Sequence, residues 1–513
     1  MRDSARGLPD RRGRPLRGWL PAGCSNLLLL VVVPVVFVVV AAGSLSDAAD
    51  LLGGASRGEQ VPTATAGWAA AFLAGTAMYF QTSSARDADR RLVIAALSTA
   101  RLVAARLAAG LVLAALASAA ALAALAARTG IQSPGRVLAG TLMFAVIYLA
   151  VGAVVGAWVR NPVNGMVLIL FVWILDVFFG PVIGPQDSLA TRALPTHFVS
   201  LWMVDLPSRH GGRIGDLGWA LVWTVGAVVV AWTVVAARIR VGHRRRQPRP
   251  GSIGDQLRAS VRMGLRDGRR NPALWVLLAV VPAVFILLAK ATTPDRITAL
   301  RLTEHGRASV QVFNLADIHA GTMAPIAVTS LAALGGLFIA LDTRTGDRRL
   351  ALAGLRPGVL LAARLAVVAL AAALATAVSL AVTAIVFDAR QWPGYVAANA
   401  LLAATYGLLG VLLAPVFGRV AGVFVAFLVP FLDIGLVQSP MLRDQPAAWA
   451  AYVPGYGGSR VLIDTALTPG FDQIRPLLIG LAWLAGLAVA VTMLFRRVTR
   501  PASAAGRSRR SSG

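Results

Sequence analysis

The sequence predicts an all-α polytopic membrane protein of about twelve transmembrane helices, built as two parallel six-helix repeats. Three observations predict it. Hydrophobic residues make up 57% of the 513 positions and charged residues only 14%, too apolar a balance for a soluble chain of this length. Apolar runs of about 20 residues, the length that crosses a bilayer, recur along the chain. Short anchors in the first half return in the second at near-constant spacing.

The first apolar run, about 26–45, is too long for the apolar core of a cleavable signal peptide, and no A-x-A site followed by a polar mature domain comes after it. It reads as the first helix. Further spans fall at about 64–83, 103–127, 137–159, 163–183 and 216–238. After a basic linker come about 273–291, 320–341, 361–386, 395–416, 419–437 and 474–495.

Charge sets the expected orientation. The N-terminal segment carries Arg2, Arg6, Arg11, Arg12, Arg14 and Arg17, whereas the next connection is acidic, with Asp47, Asp50 and Glu59. The connection after that is basic again, with Arg86, Arg90, Arg91, Arg101 and Arg106. The linker between the halves and the C-terminal tail are both arginine-rich. The positive-inside rule therefore puts both termini and the linker in the cytoplasm, in an inner or plasma membrane. The net charge of +26 follows the same alternation and does not read as a nucleic-acid footprint.

The repeat rests on ordered pairs. Val32-Val33-Pro34-Val35-Val36-Phe37 matches Val280-Val281-Pro282-Ala283-Val284-Phe285. Asp89-Arg90-Arg91-Leu92 matches Asp347-Arg348-Arg349-Leu350, and the same offset brings Arg106 onto Arg364. Gly165 and Asp176 match Gly422 and Asp433, and Pro195, Ser200 and Asp205 match Pro454, Ser459 and Asp464. An even number of spans per unit makes the repeats parallel, related by an axis along the membrane normal. The units divide as 1–245 and 246–500, with a basic disordered tail over 501–513. Before the seventh helix, Ile253, Leu257, Val261 and Leu265 recur every fourth residue beside Arg258, Arg262 and Arg266, the pattern of an amphipathic interfacial helix.

Several chemistries are excluded. The single cysteine, Cys24, forms no internal disulfide and no thiolate metal cage, and the five histidines show no ligand spacing. No G-x-x-x-x-G-K-[ST] loop is present, and Lys290, the sole lysine, lies in no glycine-rich context. No cofactor, metal or nucleic-acid partner is expected; the partners implied are the lipid bilayer and a small-molecule substrate. Asp176 and Asp433 are the only carboxylates well inside predicted spans. An acid there costs about 2.5–3.5 kcal/mol on insertion scales, so each faces protein or a cavity and is a candidate lining of a substrate path.

The connection after the second span of each half carries a family resemblance. Its second copy reads Asp342-Thr343-Arg344-Thr345-Gly346-Asp347-Arg348-Arg349-Leu350, continuing to Pro357 and Arg364. This resembles the first cytoplasmic loop of type-2 ATP-binding-cassette (ABC) export permeases, in which an acid, a glycine, a leucine and a proline precede a basic residue at the third helix. The first copy keeps Leu92 and Arg106 but has Ser84, Ala88 and Thr99 in place of Asp342, Gly346 and Pro357. The resemblance implies six helices per half and a partly re-entrant outer segment before each sixth helix. It also implies a loop that rests on a separate ATPase subunit, acting as a dimer. Asp89, Arg90 and Arg91, and Asp342, Gly346, Asp347, Arg348 and Arg349, are then the ATPase-coupling residues. Fused twelve-helix permeases of actinobacterial antibiotic exporters are of this kind. By analogy the substrate is a small amphipathic or hydrophobic molecule moved outward, and ATP hydrolysis is on the partner chain, not on this one. The alternative is a proton-coupled transporter of the major facilitator type, whose D-R-x-G-R-R loop is partly imitated by Asp342 to Arg349, with the spacing off by one residue.

Overall fold

The computed structural model describes residues 22–52, 54, 60–94, 98–159, 161–184, 191–239, 272–304, 307–352, 357–442 and 445–499. A helix coincides with each of the twelve expected spans. In the first half these are α1 (Ala22–Leu52), α2 (Gln60–Ile94), α3 (Thr99–Arg128), α4 (Pro134–Trp158) and α5 (Pro162–Phe178). A short α6 (His197–Met203) then precedes α7 (Ile214–Ile239). The second half runs α8 (Pro272–Thr292), α9 (Leu315–Leu352), α10 (Pro357–Val386), α11 (Trp392–Phe417) and α12 (Val420–Pro430). Helix α12 continues into a π-helical turn, Phe431–Val437, and α13 (Gly455–Leu467) and α14 (Ile474–Thr499) close the chain. Among the described residues, eight helices are long and apolar enough to cross a membrane, and three shorter apolar helices lie at 162–178, 276–292 and 421–437. The interfacial helix expected over 253–266 and the tail over 501–513 lie outside the described residues.

Local sequence sets the helix ends. Asn161 accepts hydrogen bonds from Val163 N at 2.9 Å and Asn164 N at 3.4 Å, and Pro162 fills the first helical position, so α5 starts there. Gly418, with a positive φ of 67° that favours glycine, ends α11. Pro325 interrupts α9 and removes the donor that would satisfy Gly321 O; the Tyr395 hydroxyl of α11 donates to that carbonyl instead.

Within each half a central helix pair crosses closely. Helix α2 packs on α4, with Gly152 directly against the carbonyl of Gly75. Helix α9 packs on α11, with Gly410 against the carbonyl of Ala333 and Gly336 against that of Gly407. Small residues at such crossings let backbones approach, which is how helices associate where lipid removes the hydrophobic drive. Helices α7 and α14 lie at the periphery. Only 17% of the apolar window of each is buried, leaving Val222, Val225, Val229, Leu478 and Val489 exposed. Apolar faces of this size suit lipid, not water.

Two features depart from the expectation. The connection after α8 is a β-hairpin, β1 (Ile297–Glu304) and β2 (Arg307–Asn314), antiparallel with Ile297 opposite Asn314. Leu300 and Leu302 point into the protein and Val310 and Val312 away from it. The connections expected after the second spans are helical up to Ile94 and Leu352: α2 is 35 residues long and α9 is 38. At 1.5 Å per residue these are about 50–57 Å rods, against a hydrocarbon core of about 30 Å. Residues 81–94 hold no proline or glycine to stop the helix, and Gly346 in α9 is tolerated.

Candidate functional site

The two helix extensions are fastened to their own bundles. Arg86 donates to the Val159 carbonyl at 2.7 Å and also to that of Gly156, covering the free carbonyls at the end of α4. Asp89, buried, pairs with Arg106 of α3 at 2.6 Å and so closes the α2–α3 connection. Arg90 and Arg91 follow on the same helix, and Arg91 is exposed. In the second half Asp342 pairs with Arg419, the residue before α12, while Gly346, Asp347, Arg348 and Arg349 occupy the last turns of α9. Of the expected coupling residues, the structure thus brings Asp89 and Asp342 into ion pairs with neighbouring helices.

The halves meet through α1, α2 and α5 on one side and α8, α9 and α12 on the other. The seam is aromatic. Phe72 lies 5.2 Å from Phe424, Trp173 meets Phe427 edge-on at 5.9 Å, and Phe178 meets Phe431 at 5.7 Å. Beside it sits a cavity of about 110 Å³ between α5, α8, α9 and the π-helical turn after α12. Its walls are mostly apolar, among them Phe171, Phe285, Phe427 and Phe431. Its polar contacts include His319 and Thr322 at the start of α9, Thr292 at the end of α8, and Ser330, whose buried hydroxyl has no partner among the described residues. Among the described residues, no aspartate or glutamate lines it.

Asp176 and Asp433 do not line this cavity. Both are buried at the last turns of their helices, and each holds the segment that follows. Asp176 accepts from the Tyr148 hydroxyl at 3.0 Å and from the Thr196 hydroxyl at 2.5 Å, with Thr196 N at 3.3 Å. Asp433 accepts from the Tyr406 hydroxyl, from Gly455 N at 2.8 Å and from Gln438 Nε2 at 3.3 Å. Thr196 precedes α6, and Gly455 opens α13, whose first N–H groups lack helical partners. Sequence reasoning found the two acids and missed the tyrosines. The signal was present: Tyr406 follows Tyr148 at the same offset, 258, that relates Arg364 to Arg106.

Fold and composition thus define a polytopic, predominantly helical membrane protein with an apolar cavity between two bundles. Residues 56–237, which run from just before α2 to the end of α7, match the family model described as ABC-2 family transporter protein. The match covers 182 of the 513 residues, and nothing in it favours the facilitator alternative. No curated protein matches the chain.

Proposed function

We propose that the whole chain is the permease of an ABC-type exporter, working with a dimer of separate ATPase subunits. The observation that carries this is the ABC-2 match over the first half. Support for extending it to the second comes from the paired geometry. Gly152 and Gly410 occupy equivalent close crossings, and Tyr148–Asp176 and Tyr406–Asp433 make equivalent hydrogen bonds. Residues 1–245 and 246–500 are then two parallel repeats, and a small amphipathic or hydrophobic substrate moves outward at their interface. At about 110 Å³ the cavity is smaller than the roughly 300–1,000 Å³ of drug-sized sites, so transport requires the halves to move apart. The extensions of α2 and α9 offer the ATPase two rigid levers, because Arg86, Asp89 and Asp342 join each to neighbouring helices.

The test is efflux of an amphipathic fluorescent dye, measured as uptake into inverted vesicles. Uptake should need ATP and the co-expressed ATPase from a neighbouring gene, and should persist with a protonophore. Changing Arg348 and Arg349 to Glu should reduce both uptake and ATPase co-purification more than the same change at Arg90 and Arg91, because the second copy keeps more of the family pattern. Uptake driven by a pH gradient without ATP, and lost in Asp433→Asn, would replace this reading with the facilitator one. Undiminished recovery in both arginine variants would leave those arginines as topology signals only.

The arginine alternation supports a cytoplasmic position for both termini. Reporter fusions after Leu20 and after Pro501 should both read cytoplasmic. A periplasmic signal from either one removes the twelve-span topology.

A further inference from the structure

We propose that the cavity between the halves selects uncharged aromatic ligands carrying a hydrogen-bond donor, and that His319 Nε2 is the acceptor that recognises the donor. The inference rests on reading this cavity as the substrate's site.

One proton sets the polarity of the site. The Thr293 hydroxyl lies 2.6 Å from the Ala289 carbonyl and 2.6 Å from His319 Nδ1. A carbonyl can only accept, so the hydroxyl's single proton points to Ala289. The hydroxyl must then accept from the ring, which puts the ring proton of His319 on Nδ1. In a neutral imidazole this leaves Nε2 with a lone pair and no proton. Nδ1 is engaged by Thr293, so Nε2 is the ring atom left to meet a ligand, and His319 lines the cavity.

The neighbouring hydroxyls have the same polarity. Thr292 donates to Leu288 O at 2.8 Å, and Thr322 donates to Ile318 O at 3.0 Å. Their protons are committed, so each can offer only lone pairs. The end of the cavity where α8 finishes and α9 begins is therefore built from acceptors, while its sides are aromatic and aliphatic. A phenol or an aromatic N–H fits that pattern: the ring packs against Phe171, Phe285 and Phe431, and the donor meets Nε2. A cation does not fit. The nearby Asp317 is paired with Lys290, Asp176 and Asp433 face other partners, and no carboxylate lines the cavity to offset the loss of hydration.

The probes are phenol and toluene, which share size and shape and differ by the O–H. The measurement is nitrogen NMR of the full chain in detergent, labelled with ¹⁵N-histidine. There are five histidines, and His319→Phe identifies the resonances that belong to His319. Without ligand, His319 should show a protonated Nδ1 and an unprotonated Nε2. Phenol should move the Nε2 resonance upfield in a saturable way, and toluene should not. Thr293→Val, nearly isosteric, frees the ring tautomer and should reduce the phenol response. Protonation of His319 at Nε2, no response to either probe, or equal responses to both overturns the proposal. No ATP or partner chain takes part, so this outcome stands apart from the test of ATP-driven transport.

Discussion

Gly152→Ala and Gly410→Ala are each expected to destabilise the protein by about 3 kcal/mol or more, with loss of monodisperse material on size exclusion. A Cβ at Gly152 would overlap the Gly75 carbonyl oxygen, and one at Gly410 would overlap the Ala333 carbonyl oxygen. Overpacking a core costs about 1–3 kcal/mol when side chains can shift. Here the obstacle is backbone, which has no rotamer to change, so whole helices must separate and the contacts along α2–α4 or α9–α11 loosen together. Gly226→Ala in α7 and Gly486→Ala in α14 are the controls. Among the described residues nothing lies within 4 Å of a Cβ at either position, so each should stay within about 0.5 kcal/mol of the parent. Unfolding in mixed micelles, followed by tryptophan fluorescence, measures the difference. If the four variants unfold together, close crossing is not what holds these pairs.

The spanning helices were legible in the sequence because a bilayer demands long apolar runs and the chain supplies them. The helix extensions were less so. Hydropathy marks where α2 and α9 leave the apolar layer, near Thr82 and Leu341, but carries no instruction to stop the helix. The hairpin of Ile297–Asn314 was missed although its sequence, two strand-like runs around Glu304-His305-Gly306-Arg307, contains a turn signal. An all-helical expectation treats the segment as a connection, because its runs are too short to span a bilayer. Asp176 and Asp433 were visible as acids in apolar surroundings, but their tyrosine partners come from α4 and α11, 28 and 27 residues earlier. Tyrosine in an apolar span looks like any other aromatic until the fold brings a carboxylate to it. The cavity was not legible at all, since His319, Phe285 and Phe431 converge from α8, α9 and the turn after α12.

Asp433→Ala should be the most damaging single change at the segment that precedes the last helix. The carboxylate takes hydrogen bonds from Tyr406, Gly455 N and Gln438, all buried. Its removal leaves the Tyr406 hydroxyl and Gly455 N without this acceptor, at about 1–3 kcal/mol for each group left unsatisfied, while Gln438 keeps the Ala450 carbonyl, so a loss of about 3 kcal/mol or more is expected. Tyr406→Phe deletes one donor and leaves the acceptor two others, so it should cost about 1 kcal/mol. Asp433→Asn keeps one acceptor oxygen but turns an N–H₂ toward the remaining donors, and should fall between the two. The same order is expected for Asp176→Ala, Asp176→Asn and Tyr148→Phe, where Thr196 takes the place of Gly455. A purely local loss and a loosened segment are separable by hydrogen exchange. In Asp433→Ala the amides of 448–458 should exchange faster, while those of α10, which makes no bond to Asp433, keep their parent rates. If Asp433→Ala costs no more than Tyr406→Phe, or if 448–458 keeps its protection, the aspartate is a tolerated polar group in the π-helical turn after α12 and does not hold α13 in place.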